Sequence, residues 1–134
     1  MLRTLCYRPL SCTLLVAGLA LVHSASFADQ TFEGVRSRAH DMGETPEGKA
    51  YEKQFGAAFG PSMRDALEAC TKDIKPPYVV NLVFVIDTDG GVRRIIPAPQ
   101  QPVSACVAEK LREMRLPAPP KNDWLVAVNI TIKE

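Results

Sequence analysis

The chain has 134 residues, with 16 basic and 15 acidic side chains and a hydrophobic fraction of 46%, the composition of one small globular domain. Near-neutral charge excludes a nucleic-acid binder built on a basic face and also an acidic tail. Four cysteines and two histidines narrow the chemistry a site could hold.

Residues 1–28 read as a cleavable signal peptide. Arg3 and Arg8 precede an uncharged apolar core over residues 13–22, and Ser26-Phe27-Ala28 places small residues at the two positions a signal peptidase reads. Ten apolar residues are half of what a membrane-spanning helix needs. Cleavage after Ala28 predicts a secreted, periplasmic protein with 14 basic and 15 acidic side chains over 106 residues. It also removes Cys6 and Cys12, leaving Cys70 and Cys106 as an even pair in an oxidising compartment.

Residues 29–44 have few large apolar groups and no sustained period, which predicts a mobile or loosely packed lead-in. The domain proper is expected over residues 45–134. Thr45-Pro46-Glu47 is a helix start, with Tyr51, Phe55 and Phe59 following at four-residue intervals. Gly60-Pro61 predicts a break and a restart, after which Met63, Leu67, Cys70 and Ile74 form an apolar stripe. Pro76-Pro77 then forces an extended entry to the first strand.

Residues 78–96 predict a β-hairpin. Val80, Leu82, Phe84 and Ile86 share one wholly apolar face, and Asp87-Thr88-Asp89-Gly90-Gly91 supplies the reversal. The return strand carries Arg93 and Arg94 and meets Pro97, the marks of an edge strand. Over residues 101–114, Val103, Cys106, Val107, Leu111 and Met114 recur at helical spacing. A stiff proline-containing connector follows, and residues 124–132 then alternate as a strand whose stripe Trp124, Val126, Val128 and Ile130 faces the core. The predicted fold class is α+β: a three-stranded antiparallel sheet in order 2-1-3 with helices packed on one face. Cys70 and Cys106 both fall on core-facing helical stripes, so one disulfide is expected, the alternative being two separate buried thiols.

No constellation for catalysis is legible. The mature chain has one histidine, His40, in the poorly patterned lead-in. The Asp87 turn begins like a calcium loop, but Val92, Arg93 and Arg94 stand where further oxygen ligands belong. No cofactor and no metal are expected.

The hairpin VNLVFVIDTDGGVRRI, the helix CVAEKLREM, the link LPAPP and the strand WLVAVNITI together resemble the C-terminal domain of TonB, the envelope energy transducer. The version in gliding-motility proteins, with one cysteine ahead of the hairpin, a second in the helix and a proline-rich link after it, is the nearer likeness. Cys70, Cys106 and Leu116-Pro117-Ala118-Pro119-Pro120 fit it, and the resemblance covers residues 62–133. Where TonB has a membrane anchor and a long proline-rich arm, this chain has a leader read as cleavable and a lead-in of 16 residues. What the resemblance implies is a recognition mode, a partner segment added as a strand along the last strand.

The residues lead to the same edge. The first strand has both ladders filled and the Val92 strand is blunted, so the open ladder is the outer side of the Trp124 strand. Leu125, Ala127, Asn129 and Thr131 are the expected partner-binding residues. The expected function is a non-catalytic periplasmic binding or scaffold module for an envelope protein or peptide segment, with a homodimer through the edge strand as one form of pairing. The alternative is a periplasmic inhibitor or immunity protein that blocks an envelope enzyme or toxin, with the Asp87 turn or the proline link as its plug.

Overall fold

The computed structural model describes residues 31–134; the signal-peptide expectation lies outside them. The elements run α1 (Phe32–Gly43), α2 (Pro46–Thr71), β1 (Tyr78–Ile86), β2 (Val92–Pro97), α3 (Pro102–Leu111) and β3 (Trp124–Ile132). The three strands are antiparallel in the order β2-β1-β3, with β1 central as the sequence predicts. No helix among the described residues is long and apolar enough to cross a membrane.

The even residues of β1, Val80, Leu82, Phe84 and Ile86, all lie at 0% exposure under α2 and α3. Tyr51, Phe55 and Phe59 descend on them at one-turn spacing from α2. Phe55 stacks on Phe59, and both meet Phe84 edge-on with ring centroids 5.6 Å apart, the arrangement the aromatic quadrupole favours. Trp124 completes the layer, buried as expected and 5.9 Å from Tyr51. Cys70 and Cys106 join α2 to α3 in a disulfide, their Cα atoms 5.9 Å apart and 36 residues apart in sequence.

Two helical expectations are corrected. Gly60-Pro61 does not break the second helix, and α2 runs through Pro61 for 26 residues. Pro61, Gly60 and the Ala57 whose carbonyl loses its donor are all exposed, so water can serve that carbonyl. The buried stripe Tyr51, Phe55, Phe59, Met63 and Ala66 meanwhile continues unbroken on the other side. Ile74, read as part of this stripe, lies beyond the helix end and is 40% exposed.

The lead-in is the second correction, because residues 32–43 form a packed helix. Thr31 caps α1 by accepting from the Gly34 N–H at 3.3 Å. Val35 and Ala39 are buried against Val83, Val85 and Leu125, with Phe32, Met42 and Ile96 at the margin. The helices foreseen over residues 45–75 and 101–114 share one face of the sheet, as predicted; α1 is additional and covers part of the opposite face.

The corner between α1 and α2 is tight. Thr45 caps α2 through the Gly48 N–H at 3.0 Å. A Cβ on Gly48 would stand 2.1 Å from the Met42 carbonyl oxygen, so only glycine fits this approach. The hairpin turn is as constrained. Gly90 has a φ of 80° and its carbonyl accepts from the Leu116 N–H at 3.0 Å. Asp89 accepts from the Gly91 N–H at 2.8 Å and from Arg115, and that backbone bond, with the Arg115 charge, holds its carboxyl below the usual range. The proline link is fastened by Tyr51, whose OH donates to the Pro117 carbonyl at 2.8 Å. Burial pushes the Tyr51 phenol up to about 12.

Candidate functional site

The direction of the β3 backbone follows from its neighbour. In the pairing of β1 with β3, Asn81 stands opposite Asn129. The Asn81 N–H donates to Ser104 Oγ and its carbonyl accepts from the Ala98 N–H, so both groups point away from β3. The Asn81–Asn129 pair is therefore of the non-hydrogen-bonded kind, and the Asn129 N–H and C=O point outward. By alternation the same holds for Leu125, Ala127 and Thr131, while Val126, Val128 and Ile130 spend their backbone groups on β1. Among the described residues none of the outward groups has a hydrogen-bond partner.

The four residues singled out from the sequence thus do form one outward row, but they are not equally open. Leu125 is buried in the small core under α1, whereas Ala127, Asn129 and Thr131 are exposed. The lead-in does what an edge invites and folds back beside it, closing only the first part. On the opposite face Val128, Ile130 and Ile132 are half-buried. No charged side chain occurs within β3.

Beside the open stretch lies a groove of about 430 Å³. One wall is α1, through Glu33, Arg36, Ser37 and His40; another is Glu52 of α2; the floor is Ala127, Val128 and Asn129. Glu33 and Arg36 neutralise each other at 2.9 Å. The sequence reading missed this wall because it left α1 unassigned. The available signal was the spacing of Glu33, Ser37 and His40, one polar stripe of a helix whose other stripe is Phe32, Val35, Ala39 and Met42.

The other candidates resolve into structural roles. Asp87 pairs with Arg93, which also pairs with Asp123, and Asp89 pairs with Arg115. These pairs anchor the hairpin turn and the start of β2 to the connector between α3 and β3. Among the described residues there is no group of three or more His, Cys, Asp or Glu placed to hold a metal ion. Lys121 sits 5.8 Å over the Trp124 ring, closing the end of the aromatic layer.

Fold and edge together define an α+β domain in which the outer edge of β3 is open past Leu125 and bordered by a helical wall. Comparison with protein families, with curated proteins and with solved structures found no match.

Proposed function

We propose that the chain is a non-catalytic binding module of the cell envelope that takes up an extended segment of a partner protein as a fourth strand along β3. The observation that carries this reading is the outward row of N–H and C=O groups at Ala127, Asn129 and Thr131, exposed and without partners among the described residues. Strand addition satisfies such a row with main-chain hydrogen bonds and reads alternate side chains for specificity. An edge of this kind with no charge or proline to blunt it otherwise invites aggregation. The resemblance to TonB-type domains and the leader-like first 28 residues support the same reading and the same compartment.

Proline at Ala127 is the direct test, because it removes one outward donor from an exposed position and leaves the ladder to β1 intact. Capture of envelope proteins by the Ala127→Pro chain should fall at least tenfold relative to the unmodified chain and to Ala127→Ser, with both variants keeping the Cys70–Cys106 disulfide. Undiminished capture by the proline variant would sink strand addition. If capture instead depended on the turn at residues 87–91 or on the link at residues 117–120, the inhibitor or immunity-protein reading would take its place.

A further inference from the structure

Asn81 is a polar residue in the central strand, and around it a chain of side-chain hydrogen bonds crosses the sheet. It starts at Ser104 near the beginning of α3, which is fully buried. Ser104 Oγ accepts from the Asn81 backbone N–H at 3.0 Å and lies 2.8 Å from Gln101 Oε1. A hydroxyl has a single hydrogen, and here it goes to Gln101 Oε1, so the Gln101 carboxamide turns its oxygen inward. Asn81 Nδ2 donates to that same oxygen at 3.4 Å. The Asn81 Oδ1 is thereby left facing β3, where it accepts from Asn129 Nδ2.

Every carboxamide on the sheet therefore donates toward α3, a polarity set by a hydroxyl on the far side of β1. Its last member, Asn129, is exposed and sits in the middle of the open row. Having spent a donor inward, it presents Oδ1, an acceptor, to whatever pairs with the edge. No hydrogen bond to that oxygen comes from the described residues.

We infer that the edge selects an extended segment carrying a side-chain carboxamide directly opposite Asn129, and that Asn129 is the specificity-determining residue. This rests on the strand-addition reading. A residue added opposite Asn129 forms a hydrogen-bonded backbone pair with it, Cα atoms about 5.5 Å apart and side chains on one face. An asparagine there extends the ladder by one rung, as in stacked amide sheets. A leucine of the same shape covers the acceptor without satisfying it. An aspartate sets carboxylate oxygens against Oδ1, beside the carboxylate of Glu52.

Labelled peptides Lys-Val-Ala-Val-X-Val-Ala-Val-Lys, with X as Asn, Leu or Asp, titrated against the full exported chain by fluorescence anisotropy, test this directly. Their valines match Val128 and Ile130, and X is the one side chain on the Asn129 face that differs among the three peptides. The Asn peptide should bind about fivefold more tightly than the Leu peptide, with the Asp peptide weakest. Asn129→Ala should bring the Asn and Leu peptides to equal affinity. Equal binding of all three to the unmodified chain overturns this inference, and if Ala127→Pro then abolishes it, strand addition itself stands. If none of the three binds, the strand-addition reading falls and this inference falls with it.

Discussion

The two faces of the sheet are built to different depths. One carries four fully buried residues of β1 beneath α2 and α3, an aromatic layer of Tyr51, Phe55, Phe59, Phe84 and Trp124, and a disulfide between the covering helices. The other carries three buried sheet residues, Val83, Val85 and Leu125, under Val35 and Ala39 of a single twelve-residue helix, and beyond that helix Ala127, Asn129 and Thr131 stand in solvent. Stability is concentrated on the first face and accessible backbone on the second. Strand β3 belongs to both: Trp124 and Val126 at its start join the deep core, and the exposed positions Ala127, Asn129 and Thr131 come after them.

The division can be broken from the deep side first. Phe84→Ala removes a fully buried ring touched by two others and should cost ~3–5 kcal/mol, enough to abolish cooperative unfolding in a domain of this size; a denaturant titration reads it. Replacing both Cys70 and Cys106 by alanine should cost ~3 kcal/mol through the loop they close, and the urea midpoint should fall with the native fold retained. On the thin side, Leu125→Ala should cost ~2 kcal/mol, the low end for such a truncation, because the helix above can settle. Hydrogen exchange would then speed up in α1 while α2 stays protected. Equal loss of protection in both helices would show that the faces unfold as one unit.

The smallest effect sharpens the comparison with pH. The Tyr51 phenol is held neutral up to about 12 in the folded chain, whereas it ionises near its ordinary value of 10 when unfolded. Above that lower value the unfolded state binds fewer protons than the native one, so stability declines as pH rises from about 10 through 12. Tyr51→Phe should cost ~1 kcal/mol at neutral pH, the net value of one hydrogen bond, and should flatten this alkaline decline. Thermal melts at stepped pH measure both.

What could be read from the residues follows the same division. Large apolar side chains at strict spacing made β1, β3, α3 and the aromatic stripe of α2 legible, and with them the strand order and the disulfide. The thin face was not legible, because Val35, Ala39 and Gly43, the residues α1 buries, are small and each has a charged neighbour in sequence, so their period carries little hydrophobic weight. Pro61 misled for a different reason. A proline breaks a helix only where its lost hydrogen bond cannot be made good, and the sequence does not say that this turn of α2 faces water. Of the site, the row Leu125, Ala127, Asn129 and Thr131 was legible from alternation, but the outward direction of its backbone groups was not, since that follows from the pairing with β1. Its closure at Leu125 was not, since that depends on the helix that went unassigned.

The corner at Gly48 bears on how the groove works. Because α1 and α2 meet with no room for even a methyl group at that position, the helix bordering the edge is set at a fixed distance when the chain folds. The slot between α1, Glu52 and β3 is consequently a preformed gauge. Under the strand-addition proposal, an incoming segment would pay the entropy of its own straightening and ask little reordering of the receiving domain, so discrimination among segments would rest on fit.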